Sequence, residues 1–575
     1  MSNIFFGILS ENIVMKNINK WIEIAGIPDV FVEKDENLAK YTTKLLDKYN
    51  VVSLNVALAR YPDADIWVTY PKAGITRQAL IDAGVLAAKI HLLEDRRFDP
   101  GYRALAPAAR MNGKLINDEI PNITSEFLSM IKLPDENCKM LNYLLVIPAI
   151  PRMASGRIAS GFVFQIGIAY LSSALKASGR KLFTINLGLP SVNKPYDLLK
   201  DEIIKNKIDV VMTGGLNSQF QNLKMIVDIA KNINPNIITI LGGIIITADP
   251  ISTMEAFENA DYGVIGEGEI TINSLAYALE TDDYTPDIEG IVFRQNNQWV
   301  AREKYPTVHD LSILPYPDYE GFNYGEHLDN AVGQDKRIFI NTSRSCLHRC
   351  TFCFNKHGKY RRLQLDDVFK LIDWVLSLYP DAKRLHMGDE LSFSKPEYAI
   401  EFSHRIKPYK INWQCTLRVD RVNKEMLVAM KDSGCRMAVI GIESADNNVL
   451  KSMRKGLKIE QVEKVLAVAN EIGFKMFGFL IFGDPEETMD SVLRSIKWYM
   501  KHRKNVENMV VIRIDPGSHL YDIACERGLI ANKAEYIKDY KITGSKLINL
   551  SKLTESEFKM LPHLLKAVME LETYE

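Results

Sequence analysis

No apolar stretch in the 575-residue sequence is long enough to cross a bilayer. The longest, Ile237 to Ile246, is interrupted by Gly242 and Gly243 and falls short of the roughly 20 residues a spanning helix needs. The first ten residues have no basic segment and are broken by polar side chains, so they read as a first strand and not as a secretory signal. Long basic runs are missing too, and the formal net charge is -1, which removes the electrostatic footprint of a nucleic-acid binder. These absences predict a cytoplasmic protein with neither a membrane nor a nucleic acid among its partners. Cysteine is scarce, seven in all, too few for a disulfide frame; the clustering of Cys346, Cys350 and Cys353 points to a metal site in a reducing compartment.

Those three cysteines are spaced C-x3-C-x2-C, with Phe352 just before the third. One small loop can present three thiolates in this pattern. Iron–sulfur clusters are usually held by four cysteines, so three on a four-iron cubane leave one iron open to a small molecule. A structural zinc knot is the competing reading, with His348 or His357 as its fourth ligand. Cys415, Cys435 and Cys525 lie apart from the loop and read as buried thiols.

Around this loop the apolar pattern alternates between strand-length and helix-length segments. Residues 1–138 form a small α/β domain with strands near Ile4, Val51 and Ile66, and no phosphate loop, metal cluster or catalytic pairing. Residues 139–280 carry strands at Tyr143–Ile147, Leu182–Leu187, Ile208–Thr213, Ile237–Leu241 and Tyr262–Ile265, separated by helical segments, which implies a parallel doubly wound sheet. A hairpin near Ile288–Val300 and a proline-marked linker fill 281–334, where Tyr316, Tyr319, Phe322 and Tyr324 are expected to pack the linker down. Residues 335–530 repeat strand and helix six times, too few for a closed eight-fold barrel. They predict an open (β/α)6 partial barrel, followed by a helical C-terminal segment, 531–575.

The cysteine loop resembles that of the radical SAM superfamily, whose open iron takes the amino and carboxylate groups of S-adenosylmethionine. The preceding domain is similar to the cobalamin-binding domain of many such proteins. The resemblance implies a [4Fe-4S] cluster on Cys346, Cys350 and Cys353. It also implies S-adenosylmethionine held by Gly388, Asp389, Glu390, Arg418, Glu443 and Ser444, with Asp389 preferred to Glu390 for the ammonium. Cobalamin would lie against Gly214, Gly215, Asn217, Ser218, Gly242, Gly243, Gly266 and Glu267. The Asp-x-His-x-x-Gly motif of cobalamin mutases is missing, which implies cobalamin without a protein histidine on cobalt. A loop Gly483–Thr488 and a segment Pro516–Tyr521 also resemble family elements, with Thr488 expected as a helix cap.

The expected activity is reductive cleavage of S-adenosylmethionine and methylation of an unactivated carbon in a small-molecule or peptide substrate, with a flavodoxin or ferredoxin as electron donor. Radical cyclisation or rearrangement, and a non-catalytic cobalamin or metal sensor, are the alternatives.

Overall fold

The computed structural model describes residues 121–149, 164–189, 191–329, 336–354, 358–541 and 547–571, together with seven short strands before them. Contacts divide the chain into two units, Met1–Ser125 and Glu126–Glu575. The division falls ahead of residue 138 because 126–138 are tied to the second unit: Arg180 donates to the Lys132 carbonyl at 3.0 Å and the Lys139 amide to the Glu280 carbonyl at 2.9 Å.

In the first unit β1 (Asn3–Phe6), β2 (Val30–Glu33), β3 (Val51–Ser53), β4 (Asp65–Val68) and β5 (Ile90–Leu92) form a parallel sheet in the order β3-β2-β1-β4-β5. The two short strands β6 (Arg110–Met111) and β7 (Lys114–Leu115) make a separate hairpin. The helical segments expected between the five strands lie outside the described residues.

The second unit begins with a seven-stranded sheet. Its strands are β8 (Tyr143–Ile147), β9 (Leu182–Asn186), β10 (Val210–Gly214), β11 (Ile238–Gly242), β12 (Tyr262–Val264), β13 (Ile291–Gln295) and β14 (Gln298–Arg302), in the order β14-β13-β12-β11-β10-β8-β9. Every residue of β8 and β10 is buried, as a central parallel strand covered by helices on both faces requires. The order reverses between β8 and β10, and ligands of open α/β sheets bind in the crevice beyond the strand ends at such a switch point. The hairpin placed in the linker is here β13 and β14, which extend this sheet antiparallel from β12.

The linker aromatics do pack it down. Tyr319, Phe322 and Tyr324 are almost wholly buried against one another and Phe164, and the Tyr319 hydroxyl donates to the Phe339 carbonyl.

The last sheet has six parallel strands in sequence order: β15 (Arg337–Ile340), β18 (Arg384–Met387), β19 (Asn412–Leu417), β20 (Cys435–Glu443), β21 (Met476–Phe482) and β22 (Val506–Val511). Between β15 and β18 the short β16 (Ser343–Arg344) pairs antiparallel with β17 (Arg361–Arg362) and brackets the cysteine loop. Capping side chains start the helices where the sequence turns apolar-periodic: Thr488 accepts from the Ser491 amide at 3.2 Å, Asn423 from Met426 at 2.8 Å and Ser518 from Tyr521 at 3.2 Å. Strand β22 is an edge, a hazard that proteins commonly cover. The helix Glu555–Glu570 covers it, burying Phe558, Leu561, Leu565 and Val568 and receiving Arg503 on its Met569 carbonyl at 2.6 Å.

Candidate active site

The cysteine loop leaves β15 through Thr342 and Ser343, and Ser345 turns it with a left-handed backbone, φ +68°. Asp389, one residue past Gly388 at the end of β18, fixes this exit. Its buried carboxylate accepts from the Thr342 and Ser343 amides, each at 2.7 Å, and from the Thr342 hydroxyl at 2.8 Å. Burial outweighs these bonds and pushes the Asp389 carboxyl up to about 6. Farther along, the Thr351 amide donates to the Met453 carbonyl and the Thr351 carbonyl accepts from the Leu520 amide, both at 3.1 Å. Phe352 packs against the apolar cluster of Val449, Met453, Ile512 and Leu520, which is what an aromatic residue before the third cysteine accomplishes here.

Cys350 is buried, Cys346 half-buried and Cys353 exposed. Desolvation pushes the Cys350 thiol up, opposed by Lys455 and Arg418 and aided by Glu443 and Cys346. Desolvation, then Glu390, Cys350 and Cys346, push the Cys353 thiol up to about 12. The three thiols therefore feel one another and a ring of charged groups, and a metal must displace their protons to bind. Among the described residues no group of three or more His, Cys, Asp or Glu side chains is set to hold a single ion. A cubane differs in its demand, since it takes one thiolate per iron. His357 lies outside the described residues, and His348 Nε2 is buried without a partner.

Of the residues expected around S-adenosylmethionine, Glu390, Arg418 and Glu443 bear electrostatically on the cysteines, whereas Asp389 and Ser444 serve the backbone. Ser444 Oγ accepts from the Asp446 amide at 3.1 Å. Gly388 is exposed at its strand end, and a Cβ there would meet Asn341 Oδ1 at 2.7 Å. Arg418 is nearly buried, donating to Asp420 at 2.9 Å and to the Lys455 carbonyl at 2.6 Å. Glu443 sits at a bulge between β20 and β21 with φ +66°, a conformation that costs a non-glycine residue about 1–3 kcal/mol. Its carboxylate accepts from Lys455 Nζ at 2.7 Å, and that ammonium stands 6.0 Å from the Phe352 ring. Lys455 was not singled out by any sequence pattern; only its burial beside Glu443 marks it.

At the switch point the strand-end glycines mainly pack on each other. A Cβ on Gly214 would meet the Gly242 carbonyl oxygen at 2.7 Å, and one on Gly243 the Gly215 oxygen at 2.7 Å. Gly266 lies against the Tyr305 ring. Asn217 is buried, its Nδ2 reaching the Pro516 carbonyl at 3.4 Å while its Oδ1 has no partner, and Gln219 Nε2 is likewise orphaned. Ser218 is half-buried beside the exposed Leu216. Two orphaned buried amide atoms in a crevice beyond the strand ends fit a polar ligand there. Glu267 is held by Arg344 and Arg361.

This crevice and the cysteine loop share one seam. Gly517, φ +82°, sits so close that a Cβ would meet Ala248 Cα and the Phe354 ring, both at 2.9 Å, and the Tyr521 hydroxyl donates to Asp249 at 3.2 Å.

Residues 340–499 match the model of the Radical SAM superfamily and residues 158–276 that of the B12 binding domain. The chain contains a B12 binding domain followed by a radical SAM domain. It is 28% identical over 397 residues to the uncharacterized methyltransferase PH0819 of Pyrococcus horikoshii, covering 68% of this chain and 85% of that one. It is 24% identical over 367 residues to the anaerobic magnesium-protoporphyrin IX monomethyl ester cyclase of Rubrivivax gelatinosus, covering 62% and 65%. The radical S-adenosylmethionine methyltransferase TsrM of Kitasatospora setae, solved with tryptophan and an S-adenosylmethionine analogue, shares the fold at a TM-score of 0.59 and 16% identity, over 75% of this chain and 89% of that one. The cofactors of a B12-binding radical SAM protein are a [4Fe-4S] cluster, S-adenosylmethionine and cobalamin. The three thiols beside the open β18 end and the orphaned amides at the switch point provide donors suited to them. Among the described residues no helix is long and apolar enough to cross a membrane.

Proposed function

We propose that this chain is a cobalamin-dependent radical SAM methyltransferase that methylates an unactivated carbon of a small-molecule or peptide substrate, reduced by a flavodoxin- or ferredoxin-type donor. The observation that carries the reading is the shared seam, where Gly517 of the barrel lies between Phe354, next to Cys353, and Ala248 of the neighbouring domain. With its cofactors bound, such a site supplies a 5′-deoxyadenosyl radical to remove hydrogen from carbon and a methyl group to replace it.

The chain's own residues then have distinct tasks. Cys346, Cys350 and Cys353 hold the cluster, while Lys455 and Arg418 favour the thiolate of Cys350 by charge and Lys455 that of Cys353. Glu390, beside Cys353, accepts the methionyl ammonium in preference to Asp389, whose oxygens are occupied by Thr342 and Ser343. Glu443, aimed by its bulge, and Lys455 offer one acceptor and one donor to the rest of the nucleoside amino acid. Asn217 and Gln219 offer their orphaned amide atoms to cobalamin.

The substrate would face the inner side of the barrel, opposite the helix-facing Trp413 and its contact Phe402. One wall is polar, with His386 Nδ1 and Gln414 Nε2 3.0 Å apart. Burial, then Arg337, push the His386 imidazole down to about 4, so it is neutral at pH 7. The other wall is apolar, with Phe477 and the exposed Phe479 on β21.

Reduced, cobalamin-loaded protein incubated with methyl-labelled S-adenosylmethionine tests the proposal. It should release about one S-adenosylhomocysteine per bound cobalamin before any substrate is added, and also form 5′-deoxyadenosine. Formation of 5′-deoxyadenosine alone, whatever the cobalamin content, would favour a cyclisation, the reading suggested by the similarity to the Rubrivivax cyclase. Neither product would leave a sensor.

A further inference from the structure

The cysteine loop has a narrow neck. Strands β16 and β17 set Arg344 directly opposite Arg361, and all three cysteines lie between them in sequence. Two like charges at a cross-strand pair repel, yet both guanidinium groups turn toward the same carboxylate. Glu267, in the loop after β12 of the neighbouring domain, accepts through Oε2 from Arg344 Nη1 and Arg361 Nη1, each at 3.0 Å, and through Oε1 from Arg361 Nη2. The remaining arm of Arg344 donates to Glu269 at 2.5 Å, and its guanidinium lies 5.3 Å from the Tyr170 ring. Two arginines and two carboxylates make a charge-balanced set, with Arg361 and Glu269 nearly buried and Arg344 and Glu267 less than a fifth exposed. Burial pushes the Glu267 carboxyl up, and the two arginines more than reverse it, leaving it below the ordinary carboxylate range. Beside the set, Tyr305 lies against Gly266 and accepts from the Gly358 amide at 3.1 Å.

A buried ion set of this kind adds little net stability compared with apolar packing, but removing one partner strands the others at high cost. Its consequence is geometric: both strands of the neck of the cysteine loop are held by one carboxylate in the loop after β12.

We propose that Glu267 is a positioning residue that staples both sides of the cysteine-loop neck to the B12 binding domain, so that the order of the cluster loop is coupled to that domain. The coupling is reciprocal, as any linkage between two sites must be. The proposal rests on reading Cys346–Cys353 as the cluster loop.

Hydrogen exchange on the full-length, metal-free chain tests it without any cofactor. Glu267→Gln keeps the shape and removes the charge; amides in Ser343–Phe354 should then exchange about tenfold faster or more, with β19–β21 unchanged. Arg361→Lys, which keeps the charge but loses the fork, should give a smaller, equally local increase. An unchanged loop, or acceleration spread evenly through the strands, overturns the proposal. Iron retained after reconstitution should also fall by at least half in Glu267→Gln relative to the unsubstituted protein. If the unsubstituted protein takes up no iron, the cluster reading fails, while the exchange result still decides the staple.

Discussion

Replacing Asp389 by asparagine and by alanine separates the two things its carboxylate does. Oδ1 accepts two backbone amides and Oδ2 one hydroxyl. Asparagine can keep all three contacts, since its oxygen accepts both amides and its NH2 can donate to Thr342 Oγ1. Alanine keeps none and leaves two buried N–H groups unpaired, at about 1–3 kcal/mol each. Alanine should therefore be less stable than asparagine by about 2–6 kcal/mol at any pH. The charge acts separately. Burial raises the folded pKa to about 6, above the unfolded value near 4. Such a group contributes most below the unfolded pKa, and its contribution is lost as pH rises through the folded pKa. Asparagine should consequently gain on the unsubstituted protein between about pH 4 and pH 6, by about 2–3 kcal/mol at the plateau. Denaturant unfolding of the metal-free protein at pH 5 and 7.5, followed by tryptophan fluorescence, measures both differences. Equal loss in both variants would refute the backbone role, and destabilisation by asparagine at pH 7.5 would show that the charge itself is needed.

Cys350→Ala should abolish cluster assembly and 5′-deoxyadenosine formation, whereas Cys435→Ala, a buried thiol on β20, should leave both intact; iron analysis and product chromatography decide. Gly517→Val forces a side chain into Phe354 and Ala248 and should cost at least 1–3 kcal/mol together with iron retention, read from the melting temperature and metal content. Glu487, fully buried with its carboxyl pushed up to about 7 by burial, should make the protein lose stability as pH rises through 7. Glu487→Gln should then be more stabilising at pH 8 than at pH 5 in the same unfolding assay.

The repeated strand and helix pattern made both α/β sheets legible, because each buried strand is a short apolar run and each helix an amphipathic one. The hairpin Ile291–Arg302 was visible as a hairpin, but its own alternation does not say which sheet edge it joins. Asp389 was preferred to Glu390 on sequence, and the burial of the two differs by parity. Leu385 and Met387 of β18 are buried and His386 between them less so; past the strand end Asp389 is buried and Glu390 exposed. Glycines after β10 and β11 were expected to admit a ligand, whereas the close approach of one loop to the other already requires them. Lys455, Arg344 and Arg361 left no signal, since they are defined by partners 12 to 94 residues away.

The central claim is a four-iron cluster anchored by three cysteines with one iron open to S-adenosylmethionine. Electron paramagnetic resonance of the reconstituted, reduced protein, recorded before and after adding S-adenosylmethionine, tests it most directly. An S = 1/2 cluster signal whose g values shift when the sulfonium compound binds is expected. A preparation containing zinc in place of iron, or a cluster signal indifferent to S-adenosylmethionine, would contradict it.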